Sequence, residues 1–242
     1  LLAEMDKDYE TTDELEDEWE DEEGVQQPET ITDEDVQGIK AELEELKRFR
    51  SLAKTIKENS KAQQRFLALE KGFSELQRLG AQRKALIFTE SRRTQEYLFD
   101  LLQTNGYKNE VVLFNGTNTD PLSRSIYKNW VEEYKGTDKI TGSATADKRA
   151  ALVDYFKSKA TIMIATEAAA EGINLQFCSL IVNYDLPWDP QRIEQRIGRC
   201  HRYGQKHDVV VINFLNRKNA ADVRVYQLLD EKFQLFSGVF GA

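Results

Sequence analysis

The segment Ala85–Gly106 reads ALIFTESRRTQEYLFDLLQTNG. Its first four residues, Ala85-Leu86-Ile87-Phe88, form an apolar run bounded by polar residues, the pattern of a strand buried on both faces. A polar turn follows. From Arg92 to Gln103 the apolar residues recur at helical spacing, and Asn105-Gly106 supplies a stop signal. One strand feeding one helix within about 20 residues is half of a βαβ unit.

The same alternation extends downstream. Val111–Phe114 reads as a strand, Ala150–Phe156 as part of a helix and Thr161–Ala165 as a strand. Leu180–Tyr184 is again a strand, Gln191–Cys200 a helix, Val209–Phe214 a strand and Ala220–Phe236 a closing helix. This order predicts an α/β fold with a mostly parallel sheet and helices on both faces. Ligands in such folds sit beyond the carboxyl ends of the strands, so the loops after Phe88, Ala165 and Tyr184 are the places to look. Thr117–Lys148 departs from the pattern, with five acids, five bases, a helix expected over Pro121–Tyr134 and a flexible Lys135–Ala146. It is expected to be a surface insertion within the domain spanning residues 81–242.

Upstream, Ile39, Leu43, Leu46, Phe49, Ala53 and Ile56 recur at steps of three and four, and Phe66, Leu69, Phe73, Leu76 and Leu79 repeat the pattern. Residues 36–80 are therefore expected to form two core-facing helices, broken at Asn59-Ser60 and ended by Gly80 as a C-cap. Residues 1–35 hold 17 acids against the single base Lys7, a balance of −16, whereas the remainder of the chain, whose overall charge is −9, carries +7. Such a leader repels itself and reads as an acidic linker, or as a mimic of nucleic-acid charge that competes for a basic groove.

No uninterrupted apolar run exceeds four residues, against the roughly 20 a membrane span needs, which excludes a transmembrane helix. The opening Leu1-Leu2-Ala3-Glu4 lacks an initiator Met and an apolar signal core, so the start reads as a cut point in something longer. Cys178 and Cys200 show neither CxxC spacing nor a partnering His, which supports neither a disulfide scaffold nor a zinc site and suits the reducing cytoplasm.

Two segments carry chemistry. Gln191–Gln205, QRIEQRIGRCHRYGQ, spaces Arg192, Arg196, Arg199 and Arg202 by four, three and three, near one helix face. Planar, permanently charged guanidinium groups suit phosphate oxygens, and a solvated basic face is the alternative. His201 and His207 specify little by themselves. Met163–Gln176, MIATEAAAEGINLQ, runs from a strand through small residues to Glu171-Gly172-Ile173-Asn174, where a ligand or a second backbone can approach closely.

Together these segments resemble a known family. Residues 81–236 are similar to the C-terminal RecA-like lobe of superfamily 2 helicases and translocases, and NYDLPWDPQRIEQRIGRCHRYGQ is similar to the Swi/Snf-like ATPases and the bacterial RapA-type proteins. The resemblance covers about two-thirds of the chain. It implies that KALIFTESRRT is motif IV, with Thr89, Glu90 and Ser91 near the nucleic-acid backbone. It implies that ATEAAAEGINLQ is motif V, with Thr166 at a nucleic-acid phosphate and Gly172 and Asn174 beside the nucleotide. QRIGRCHRYGQ would be motif VI, with Gln195 at the interlobe face and Arg199 and Arg202 as arginine fingers reaching the γ-phosphate. Ala169 and Ala170 stand where the Swi/Snf pattern favours Gly.

No glycine of the thirteen is followed by Lys, so the chain contains no Gly-Lys-Ser/Thr phosphate loop, and no carboxylate pair ends a buried strand. The resemblance thus implies ATP and Mg²⁺ held mainly by an N-terminal RecA-like lobe, an isolated chain without ATPase activity, duplex DNA as partner, no membrane, and a bacterial, nucleoid-associated setting. Two other classes stay open: a non-catalytic module that binds nucleic acid or protein, and an accessory subunit of a restriction-like defence system.

Overall fold

The computed structural model describes residues 33–55, 60–167, 172–187, 189–215, 223–229 and 231. The elements are α1 (Asp33–Thr55), α2 (Ser60–Arg78), β1 (Ala85–Thr89), α3 (Arg92–Thr104), β2 (Val111–Phe114), α4 (Pro121–Glu133), α5 (Ala144–Ser158), β3 (Ile162–Thr166), β4 (Leu180–Asn183), α6 (Pro190–Cys200) and β5 (Val210–Asn213). Residues 223–229 are also helical. Residues 1–32 of the expected 1–35 leader, Asn59 of the expected Asn59-Ser60 break, the alanines at 168–170 and the rest of the closing helix lie outside the described residues, whereas 33–35 open α1 and Ser60 opens α2.

The five strands form one parallel sheet in the order β2-β3-β1-β4-β5. Val111, Ile162, Ala85, Leu180 and Val210 stand in register across it, so the strands end together at one edge. Side chains alternate between the faces of a strand. Leu86, Phe88, Val112, Phe114, Met163, Ala165 and Ile181 meet α4 and α5 in the central core. The opposite face receives α3 and the 71–78 part of α2. Gly72 of α2 lies against this face so closely that an added Cβ would sit 2.7 Å from Leu180 Cδ2 and 3.1 Å from Ile212 Cδ1. The predicted α/β architecture with helices on both faces is therefore present.

Local signals explain the helix ends. Ser91, Asp120, Ser143 and Asp189 each accept a backbone N–H as N-cap of α3, α4, α5 and α6, and Pro121 and Pro190 open their helices. Gly80, at φ +70°, ends α2 in a Schellman motif: Ala81 N donates to Leu76 O at 2.9 Å and Gly80 N to Gln77 O at 3.1 Å.

The described residues divide into two compact units between Glu70 and Lys71. In the first, α1 leaves Ile39, Leu43, Leu46 and Phe49 exposed, which corrects the expectation that both lead-in helices face a core. Periodicity fixes which face of a helix is apolar, not whether a partner covers it. In the second, Phe73 and Leu76 of α2 are buried as expected.

Thr117–Lys148 also differs from its reading as a surface insertion. Ile126 and Trp130 of α4 enter the central core, and the Trp130 indole N–H donates to Asp154 Oδ2 of α5 at 2.9 Å. The segment expected to be flexible is latched: Asp147 accepts from Thr141 N at 2.9 Å, Thr141 Oγ1 at 2.7 Å and Gly142 N at 3.2 Å. The polar composition that suggested a loop is spent on caps and on this latch.

Two outcomes follow. Trp130→Ala should destabilise the domain by about 3–5 kcal/mol in urea titrations, as loss of a buried Trp does, whereas an indole on a surface insertion would cost under about 1 kcal/mol. The hydrogen bonds from Thr141 hold the Asp147 carboxyl below its usual range. Its stabilising contribution is therefore present above the unfolded carboxylate pKa near 4 and lost as pH falls through the lower folded value. Asp147→Asn should flatten that acid limb in denaturation curves taken from pH 7 to 3, and an unchanged limb would contradict the latch.

Candidate functional site

The carboxyl edge of the sheet places Thr89, Thr166 and Asn183 at the ends of three adjacent strands, all buried. The turn after β4 brings Asp185 over this edge. Its Oδ2 accepts from Thr89 Oγ1 at 2.7 Å and from Glu90 N at 3.4 Å, which ties the loop after β1 to the loop after β4. Ser91 spends its hydroxyl on the α3 N-cap, and Glu90 stands exposed beside it. Partial desolvation pushes the Glu90 carboxyl above its usual range; the Asp185 and Glu167 carboxylates add to the rise, and the Arg196 and Arg192 guanidinium groups oppose it.

At the β2 side of the same edge, Gln95 of α3 is buried and donates to Ile164 O at 2.8 Å and Phe114 O at 3.1 Å. Asn115 Nδ2 donates back to Gln95 Oε1 at 3.0 Å, and Arg92 reaches Asn115 and Thr117. The loop after β2 is thereby fixed from α3.

The four arginines of the α6 segment separate. Arg196 is 2% exposed and donates to Glu167 Oε2 at 2.8 Å, to Asn183 Oδ1 at 3.0 Å and to the Asp185 carbonyl at 3.0 Å. Its guanidinium also lies 5.0 Å from the centroid of the Phe88 ring. Arg192 sits 3.9 Å from the same Glu167 carboxylate. The helix ends at Cys200, so Arg202 belongs to the turn beyond it, exposed, while Arg199 is half-buried and Gln195 exposed. The single basic face anticipated from spacing is thus corrected: Arg196 turns inward, where an internal carboxylate answers its charge.

A second set of bonds joins the 172–176 loop to the 199–205 segment. Leu175 N donates to Arg199 O at 3.0 Å, Gln176 Nε2 to Tyr203 O at 2.7 Å, and Gln205 Nε2 to Gln176 O at 2.8 Å and Cys200 O at 3.1 Å. Asn174 Oδ1 accepts from Gln176 N at 3.2 Å, while Gly172 and Gly204 make their turns at φ +74° and +98°. Thus Gly172 and Asn174 share one loop cluster with Arg199 and Arg202, and Thr89, Glu90, Ser91 and Thr166 share the strand-end cluster.

His207 Nδ1 donates to Leu79 O at 3.0 Å, and His201 is exposed. Cys178 and Cys200 are both free and buried. A hydrogen bond with the Cys178 thiol and desolvation push the Cys200 thiol well up, which disfavours the reactive thiolate. Lys84, the first residue of the motif IV match, donates to Phe156 O at 2.8 Å and Ala160 O at 2.5 Å, closing the end of α5. Sequence reasoning missed Glu167, Asn183 and Asp185. The available signal was a polar or charged residue set directly at or after a buried strand, at Thr166-Glu167 and Asn183-Tyr184-Asp185. Among the described residues no group of three His, Cys, Asp or Glu could hold a metal ion, and no helix is long and apolar enough to cross a membrane.

The chain is 41% identical over 158 residues to the uncharacterized ATP-dependent helicase YqhH of Bacillus subtilis, a match covering 65% of this chain and 23% of that protein. It is 41% identical over 76 residues to the RNA polymerase-associated protein RapA of Vibrio cholerae, over 31% of this chain and 8% of that one. The C-terminal part of the Fun30 ATPase domain superposes with a TM-score of 0.48 at 22% identity, over 78% of this chain and 53% of the other. The chain spans less than a quarter of the length of these two curated relatives. The model of the helicase conserved C-terminal domain matches residues 68–204, more than half of the chain, and the chain belongs to that family.

Proposed function

We propose that this chain is the C-terminal motor lobe of an ATP-dependent DNA translocase of the Swi/Snf or RapA type. Its partners would be an N-terminal RecA-like lobe, which holds most of the ATP and Mg²⁺, and duplex DNA in the bacterial cytoplasm and nucleoid. The observation that carries this reading is the clamp between the 172–176 loop and the 199–205 segment. It ties the segment carrying Arg199, in the last turn of α6, and Arg202, in the turn beyond, to the loop carrying Gly172 and Asn174.

Hydrolysis of ATP leaves negative charge on the equatorial oxygens of the transferred phosphoryl group, and positioning plus charge stabilisation supplies most of the catalysis. Arg199 and Arg202 would supply guanidinium groups to that charge across the cleft, and Gln195 would lie at the lobe interface. Gly172 and Asn174 would border the nucleotide. Thr89, Glu90, Ser91 and Thr166, at the ends of β1 and β3, would border the nucleic-acid backbone. A carboxylate such as Glu90 repels phosphate, so its role there would be to accept bonds and exclude the wrong register rather than to bind.

The test uses the two-lobed protein. Arg199→Ala and Arg202→Ala should each lower kcat for DNA-stimulated ATP hydrolysis by about 10³ or more, the range such fingers contribute, while ATP affinity changes little. Lys at either position should rescue poorly because an ammonium does not reproduce the planar fork. Near-parental kcat in both alanine variants would contradict the assignment.

A further inference from the structure

We propose that Arg196 is a positioning residue that registers the helix bearing Arg199 against the strand ends, so that contacts made at Thr89-Glu90 and Thr166-Glu167 set the placement of the fingers. This rests on the reading of Arg199 and Arg202 above. Among the described residues Arg196 is the largest fully buried side chain, and its partners come from separate parts of the chain. Glu167 follows β3, Asn183 ends β4, Asp185 belongs to the next turn, and Phe88 of β1 lies beneath the guanidinium. Asp185 in turn holds Thr89 Oγ1 and Glu90 N. One side chain thereby reads the ends of three neighbouring strands.

The chemistry argues against simple filler. A buried ion pair is often matched or surpassed in stability by apolar residues of similar volume. Here the cost is greater still, because Arg196 Nε is buried with no hydrogen-bond partner among the described residues. A planar group bonded in fixed directions to three segments specifies where α6 sits, which an apolar side chain of the same size does not. Arg199 lies three residues further along α6, about 4.5 Å up its axis. A shift or rotation of the helix at Arg196 therefore moves Arg199 by a similar amount. Misplacement of a catalytic group by about 1 Å can cost roughly 10²-fold in rate.

The experiment measures ATP hydrolysis of the two-lobed protein with and without duplex DNA, beside its thermal unfolding, for Arg196→Met, Arg196→Lys, Glu167→Gln and the Arg196→Met/Glu167→Gln double variant. Arg196→Met should remain folded, keep its KM for ATP within about threefold and lose about 10²-fold in DNA-stimulated kcat. Glu167→Gln should lose about tenfold, and the double variant should be no slower than Arg196→Met, since both act through one contact. Arg196→Lys should recover only part of the loss. Near-parental stimulated kcat in folded Arg196→Met overturns the proposal. If that variant does not fold, parental kcat in Glu167→Gln overturns it instead. Arg199→Ala is measured alongside: if it alone abolishes turnover, only the positioning role fails, and if it too is harmless, the motor-lobe reading fails with it.

Discussion

The buried guanidinium of Arg196 organises the carboxyl edge of the sheet. A parallel sheet brings all its strand ends to one side, where backbone and polar side chains lose their ladder partners and must be satisfied by loops. In this protein the loops after β1, β3 and β4 meet there, and Arg196 joins them through Glu167, Asn183 and the Asp185 carbonyl, at 2.8 to 3.0 Å. Arg196 is the fully buried member of this pair and Glu167 is partly exposed, so it is removal of the carboxylate that would leave a charge out of water, a loss that typically costs about 3–5 kcal/mol. The edge is therefore held in one arrangement although its outer residues, Glu90 and Gln195 among them, remain open to solvent.

Around this centre the fold assigns different tasks to similar residues. Arg192 and Arg196 share the Glu167 carboxylate, while Arg199 and Arg202 stand where the helix gives way to the turn closed by Gly204. The glutamines Gln176 and Gln205 fix that turn by bonding to main-chain carbonyls, and two buried thiols lie directly behind it. Hydrogen-bonded support behind cationic groups is what electrostatic preorganisation requires, since donors that must reorganise stabilise a developing charge less.

Much of this architecture was legible from short-range pattern. Buried parallel strands leave uninterrupted apolar runs, so Ala85–Phe88 and Val111–Phe114 mark β1 and β2 to within a residue. The Gly80 stop is equally local. What depended on distant partners was not legible. Trp130 looks like one aromatic in a polar stretch until Asp154 and the sheet face are brought to it. The stripe on α1 is regular, yet Ile39, Leu43, Leu46 and Phe49 stay exposed. At the site, the spacing of the arginines places Arg196 and Arg199 about 60° apart on a helical wheel, but only acceptors contributed by β3 and β4 determine which of the two turns inward.

In the proposed function the strand-end network aims Arg199 and Arg202 across a cleft toward a first lobe. The most direct test is an experimental structure of the two-lobed protein with duplex DNA, ADP and a fluoride mimic of the transferred phosphoryl group. The account predicts the guanidinium nitrogens of Arg199 and Arg202 at about 2.7–3.2 Å from the fluoride atoms, with the Arg196–Glu167 pair intact behind them. Both side chains lying against the DNA backbone or in solvent, with the mimic contacted by the first lobe alone, would contradict it.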